Sequence, residues 1–259
     1  MSETTAPRPK TADEPVAVGY WTLAKRPLHI LAFLLPLIIA YEISLALLLN
    51  LDVEAHRRLG ELFERLGVTP TGGLYLGGLV ILVVLLVWHV LERHPWRLEL
   101  GILPVMVVES LLLAAPLVIL SHLISVGPAP AATGIPEPAL ADLDVWSKIA
   151  IGVGAGLYEE LAFRMLAIAV IHTLLVDLAK LPHWLGGLIA VALSAAAFTA
   201  YHDLDNASGG ISSRRVLFYF LAGLYLGAVY ICRGFGIVVG VHALYDIVIV
   251  VLEAIGETD

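Results

Sequence analysis

The sequence predicts an all-α fold, a polytopic bundle of transmembrane helices, on three observations. Of the 259 residues, 59% are hydrophobic and only 15% charged, with a mean hydropathy of +0.89. Soluble domains run roughly 45–50% apolar and about 25% charged. The apolar residues also gather into runs that approach the ~20 residues a spanning helix requires, and short polar or proline-bearing breaks separate those runs. The same composition excludes disorder along the whole length. A net charge of −8, from 15 Lys+Arg against 23 Asp+Glu, has the wrong sign for a nucleic-acid partner. One cysteine, Cys232, excludes an internal disulfide and a Cys-rich zinc module.

Met1–Pro15 is rich in Thr, Pro, Glu and Lys and has little to bury, so residues 1–25 read as a disordered tail. No apolar core follows directly and no small-residue cleavage site is visible, which argues against a signal peptide. Seven candidate spans follow, at Leu28–Leu49, Leu74–Leu91, Ile102–Ser125, Ile149–Leu175, Trp184–Tyr201, Val216–Ile231 and Ile237–Ile255, within a range of six to eight. The long fourth run has room to hide a short or re-entrant piece. Pro128, Pro130, Pro136 and Pro138 fall in a break, while Pro36, Pro104 and Pro116 lie inside spans, where membrane helices tolerate them. Residues 26–145 carry no recognisable motif; residues 146–255 carry all the motifs described below, and 256–259 form a C-terminal tail. With the N-terminus inside, eight cations, including Lys25, Arg26, Arg93, Arg97, Lys180 and Arg233, face six on the other side, among them Arg57, Arg58 and Arg65, a small positive-inside bias.

Four Gly-xxx-Gly pairs, Gly73/Gly77, Gly152/Gly156, Gly223/Gly227 and Gly236/Gly240, each set two small residues on one helix face. That pattern lets neighbouring backbones approach closely. The pentapeptide Gly-Leu-Tyr-Leu-Gly occurs at Gly73 and at Gly223, too short a match to indicate duplication. Gly152, Gly154 and Gly156 follow no strand and complete no dinucleotide fingerprint.

Ionisable side chains at bilayer depth are expensive and point to function. Glu159-Glu160-Leu-Ala-Phe-Arg164 lies in the fourth run. Glu160 and Arg164 are four residues apart with the acid N-terminal, the favourable order for an ion pair. Glu159 is turned about 100° away and is left without a basic partner. An unpaired carboxylate in apolar surroundings is a stronger base, suited to general-base work. Phe198 and His202 share a helix face near the end of the fifth span, as do His242 and Asp246 in the last. Glu42, Glu109, His89, His122, His172 and Asp177 are scattered singly and receive no role.

Brought together, Glu159 and His202 could hold and deprotonate a water, and His242 with Asp246 could face the oxygen that turns negative when a carbonyl is attacked. No nucleophile elbow and no Cys motif competes. Hydrolysis of an amide by activated water is the reaction class that follows. Glu-Glu-x-x-x-Arg, Phe-x-x-x-His and His-x-x-x-Asp, in that order on separate apolar segments, resemble the CPBP family of intramembrane glutamic endopeptidases, which includes CAAX proteases and bacteriocin-processing enzymes and is related to the type II CAAX prenyl endopeptidase. The resemblance covers roughly Trp146–Ile255. It implies that Glu159 and His202 bind the nucleophilic water and that His242 helps form an oxyanion hole, with Glu160, Arg164 and Phe198 in support. It further implies that no metal or other cofactor is used, that the substrate is a membrane-associated protein or peptide, and that the chain resides in the cytoplasmic membrane of a bacterium or archaeon. Where the family commonly has Asn, this chain has Asp246. An ionised Asp would repel an oxyanion, so Asp246 is expected to be protonated or to orient His242, rather than to ligate a cation.

Three other readings compete. Glu159, His202, His242 and Asp246 are all possible zinc ligands, although His-Glu-x-x-His is absent. A proton- or cation-coupled transporter also buries acids and histidines, but it would show inverted repeats or paired broken helices. A non-catalytic scaffold or immunity protein would have little reason to keep Glu159, His202 and His242 together.

Overall fold

The computed structural model describes residues 19–48, 76–124, 143–206 and 210–256. Met1–Pro15, Arg57, Arg58, Arg65, Gly73 and the proline-rich break from Pro128 to Pro138 lie outside those residues. Among the described residues, eight helices run in chain order: α1 (Tyr20–Leu23), α2 (Pro27–Leu48), α3 (Leu76–Leu91), α4 (Leu103–Leu123), α5 (Val145–Leu178), α6 (His183–Tyr201), α7 (Ser213–Arg233) and α8 (Phe235–Gly256). Six of them, α2 and α4 to α8, are long and apolar enough to cross a membrane, and α3 is a shorter apolar helix of 16 residues. The expected tail over residues 1–25 is corrected at its end, where α1 folds because Tyr20 donates a hydrogen bond to Glu109 and the Arg233 guanidinium sits 3.8 Å from the centre of the Trp21 ring.

The polarity of the bundle is inverted relative to a soluble protein. Leu112 is 68% exposed and Leu188 63%, whereas Glu159, Glu160 and Arg164 are each 0% exposed. Apolar side chains outside and charges inside are what a lipid solvent selects, since hydrocarbon neither drives apolar groups inward nor solvates charge.

α5 begins at Asp144, whose carboxylate accepts from the backbone N–H groups of Trp146 (2.9 Å) and Ser147 (3.1 Å) and from the Ser147 hydroxyl (2.6 Å). These bonds, the Ser147 hydroxyl first, hold the Asp144 carboxyl below its ordinary range. The helix then runs for 34 residues without a re-entrant piece. Its extra length is absorbed by two π-helical stretches, Glu160–Ala167 and Thr173–Leu178. π segments break the regular backbone ladder and occur often at functional sites. Here the first of them opens at Glu160, and its Phe163 carbonyl accepts from Ser194 Oγ of α6 at 2.6 Å.

Three of the four Gly-xxx-Gly pairs are seams between helices. A methyl placed on Gly152 would come within 2.6 Å of Asp246 Cβ, and one on Gly156 within 2.8 Å of the Ala243 backbone nitrogen, so α5 and α8 touch at near-backbone distance. Gly223 and Gly227 face Ala195 and Val191 of α6 in the same way, and Gly236 and Gly240 face Ile30, Phe33 and Ser110 of α2 and α4. Gly156→Val should therefore force α5 off α8, at roughly 1–3 kcal/mol or more for overpacking. Thermal unfolding in detergent should show a lowered Tm, and cleavage activity should fall with it. Gly187→Val, where no atom lies within 4 Å of the added methyl, should leave both unchanged.

Candidate active site

The Gly152/Gly156 face of α5 continues at the same four-residue step through Glu160 to Arg164. Pressing that face against α8 carries Glu160 to His242. Arg164 NH1 lies 2.9 Å from Glu160 Oε1, and both side chains are fully buried. The ion pair expected from spacing is therefore present.

The pairing expected for His242 is not the dominant one. His242 Nε2 lies 3.7 Å from Asp246 Oδ2, beyond hydrogen-bond range, while His242 Nδ1 is 2.6 Å from Glu160 Oε1, a residue 82 positions away in sequence. A carboxylate already paired with Arg164 can only accept, so His242 Nδ1 donates. Glu160, not Asp246, orients this imidazole. The physical reason is the seam: with no side chain at Gly152 and Gly156, α5 approaches closely enough to offer His242 a better acceptor than its own helix does.

Glu159 points elsewhere. Its Oε2 lies 3.8 Å from His202 Nε2, and neither Glu159 oxygen has a hydrogen-bond partner among the described residues. The spacing argument that left Glu159 free thus matches the geometry. His202 follows the last residue of α6 in an extended conformation, so helix geometry alone does not aim its ring. Two other contacts do. Nδ1 lies 2.6 Å from the Phe198 carbonyl oxygen, an acceptor, so Nδ1 carries the proton and Nε2 presents its lone pair when the ring is neutral. The ring is also held between Phe198 at 4.4 Å and Tyr219 at 4.0 Å, centroid to centroid.

Phe198 therefore serves twice: its carbonyl sets the His202 tautomer, and its ring lies 4.2 Å from the Arg164 guanidinium carbon, in cation–π range. Tyr219 of α7, 4% exposed and stacked on His202 at an interplanar angle of 32°, was not marked by any spacing in the sequence. It shares no local motif with His202, and only the Gly223/Gly227 seam four residues on hints that this face of α7 meets α6. Glu159, His202, His242 and Asp246 thus meet where α5, α6 and α8 join. Among the described residues, no three or more His, Cys, Asp or Glu side chains converge in a metal-binding geometry.

The scattered polar residues lie away from this centre. Glu109 is clamped by both Arg233 Nε and Arg233 NH2, the latter at 2.8 Å, and ties α4 to the end of α7. Glu42 of α2 accepts from the Gly78 N–H at 3.2 Å and from the Tyr158 hydroxyl at 3.4 Å, on the far side of α5 from the seam. His89 packs its ring against Trp96 at 4.3 Å, and His122 bonds the Val118 carbonyl of its own helix at 2.8 Å. His172 and Asp177 lie further along α5, toward its C-terminal end.

No curated protein and no solved structure matches the chain. A family model does: residues 141–248, which contain every residue of the site, match the type II CAAX prenyl endopeptidase Rce1-like model. With six helices among the described residues long and apolar enough to cross a membrane, the chain is similar over this stretch to the type II CAAX prenyl endopeptidases.

Proposed function

We propose that the chain is an endopeptidase that hydrolyses a peptide bond of a membrane-associated protein or peptide, using a water activated by Glu159 and His202. The catalytic unit is assigned to residues 146–255, with residues 26–145 as its supporting helices. The observation that carries this reading is the contrast between two adjacent carboxylates. Glu160 Oε1 is engaged by both Arg164 and His242, whereas neither oxygen of the buried Glu159 has a hydrogen-bond partner among the described residues, and Oε2 is aimed at the His202 lone pair.

Two acceptors at that separation both reach a single water, which donates one hydrogen to Glu159 and the other to His202 Nε2. Glu159 takes a proton as the water oxygen bonds to the carbonyl carbon, and the carbonyl electron pair moves onto its oxygen. Collapse of that tetrahedral adduct breaks the C–N bond, and the proton held by Glu159 passes to the departing nitrogen. His242, fixed through Nδ1 by Glu160, has Nε2 available to donate to the oxyanion when the ring carries both protons. Losing one such donor costs roughly 10²–10³-fold in rate. Asp246 is assigned a protonated, hydrogen-bonding role beside His242, held against Gly152. A helical substrate must first unwind at the scissile bond, because its carbonyls are already hydrogen-bonded.

The test is cleavage of membrane peptides by the purified full chain in detergent, with and without a strong chelator. Cleavage should survive the chelator, and Asp246→Asn should retain activity because Asn supplies the same neutral hydrogen bonding. Loss of activity in the chelator would replace this mechanism with metal-assisted hydrolysis, and an inactive Asp246→Asn with an intact fold would show that Asp246 acts as a carboxylate.

A further inference from the structure

At the end of the bundle away from the α6–α7 connection, four helix ends meet: α2 and α8 begin there, and α3 and α7 end there. Between them lies an open cleft of about 390 Å³, within the roughly 300–1,000 Å³ typical of small-ligand sites. It is lined by Lys25, Arg26, Trp88, Glu92, His94 and Tyr230, among others. None of these belongs to the hydrolytic site, and the cleft's charge does not follow from the chain as a whole, whose net charge is −8.

Three observations say what the cleft would take. First, its two cations are uncommitted. The neighbouring Arg233 is spent on Glu109, and Glu92 is paired with His94 at 2.8 Å, but no carboxylate pairs with Lys25 or Arg26 among the described residues. Second, Arg26 Nε is buried without a hydrogen-bond partner. A buried N–H left unpaired calls for an acceptor, and a guanidinium is matched best by carboxylate or phosphate oxygens. Third, the level is that of a membrane boundary. Trp21 and Trp96, 64% and 65% exposed, join Trp88 and Tyr230 at these helix ends, as aromatic residues do at headgroup depth. Two helix N-termini and two C-termini meet here, so their dipoles offset and the side chains decide the sign.

The geometry points to a binding site for the phosphate headgroup of an anionic phospholipid, held by Lys25 and Arg26 with Trp88 and Tyr230 against the upper part of its chains. A lipid rather than a soluble phosphate is favoured by the apolar flanks, because Trp88 and Ile231 line the same cleft as the two cations. Occupancy would bridge the start of α2 to the Gly234 corner, where Lys25 Cγ lies 3.5 Å from a methyl placed on Gly234, and so would brace the helix that carries His242.

Native mass spectrometry of the full chain, titrated with phosphatidylglycerol or phosphatidylcholine, tests this without reference to cleavage. Wild type should retain phosphatidylglycerol in preference to phosphatidylcholine. Removing each cation should weaken retention roughly fivefold, hence about 25-fold for the Lys25→Gln/Arg26→Gln double variant. Lys180→Gln, a cation outside the cleft, should change nothing. Glu92→Gln removes a repulsive charge and should tighten retention, which keeps the test decisive even if the double variant does not fold. Equal retention of the two lipids, unchanged retention in the double variant, or weaker retention in Glu92→Gln would overturn the proposal. Displacement of the lipid by millimolar inorganic phosphate would reassign the cleft to a soluble anion and overturn the lipid assignment.

Discussion

Glu159→Gln is expected to lower peptide cleavage by roughly 10²–10⁴-fold, the range that a positioned proton-transfer group supplies, while leaving the fold as stable as wild type or more so. The two halves of that result follow from the same fact. Glu159 is 0% exposed and neither of its oxygens is hydrogen-bonded within the described protein, so it adds no bond to the fold that Gln would remove. Burying a charge is unfavourable unless it is paired, and functional sites commonly carry such local instability. The measurement is kcat and Tm on the same preparation. His202→Ala should lose activity to a similar degree, and the double variant should be scarcely slower than either single one, because both groups act on the same water and their effects do not add. Wild-type cleavage by Glu159→Gln would sink the mechanism. A large drop in Tm would show that Glu159 is structural after all.

How much of this was legible beforehand depends on the range over which each contact acts. Composition and run length were enough for the helices, because a bilayer leaves the backbone no alternative to internal hydrogen bonding. The Glu160–Arg164 pair was legible for the same reason that it forms: both partners lie on one helix face, one turn apart. By that logic His242–Asp246 should have been the matching pair, yet at 3.7 Å it is the looser contact, because a residue on another helix comes within 2.6 Å. The Gly152/Gly156 spacing showed that some helix would approach closely, but not which one. The π segment, the stacking of Tyr219 on His202 and the partners of Glu42 and Glu109 all depend on contacts between helices, for which local periodicity has no signal. Even so, every motif residue falls at the one junction of α5, α6 and α8.

The second large effect separates holding the fold from doing the chemistry. Arg164 is fully buried between the Glu160 carboxylate at 2.9 Å and the Phe198 ring at 4.2 Å. Arg164→Met should therefore destabilise the chain by roughly 3–5 kcal/mol, as when one partner of a buried ion pair is removed, on the order of 10 °C in Tm for a domain of this size. Glu160→Gln should cost a similar amount, since it strands the guanidinium instead. Combining the two substitutions removes both charges, and replacing a whole buried pair is often close to neutral, so the double variant should recover most of the lost Tm. Activity should not recover with it. Glu160 is also the acceptor that fixes His242 through Nδ1 at 2.6 Å, and Gln can meet that N–H only with a neutral carbonyl oxygen, which supports a doubly protonated imidazole far less well than a carboxylate does. A stable double variant with low kcat would assign Glu160 to positioning His242. Recovery of both Tm and kcat would mean that the Glu160–Arg164 pair only holds the helix in place and that the oxyanion is stabilised elsewhere.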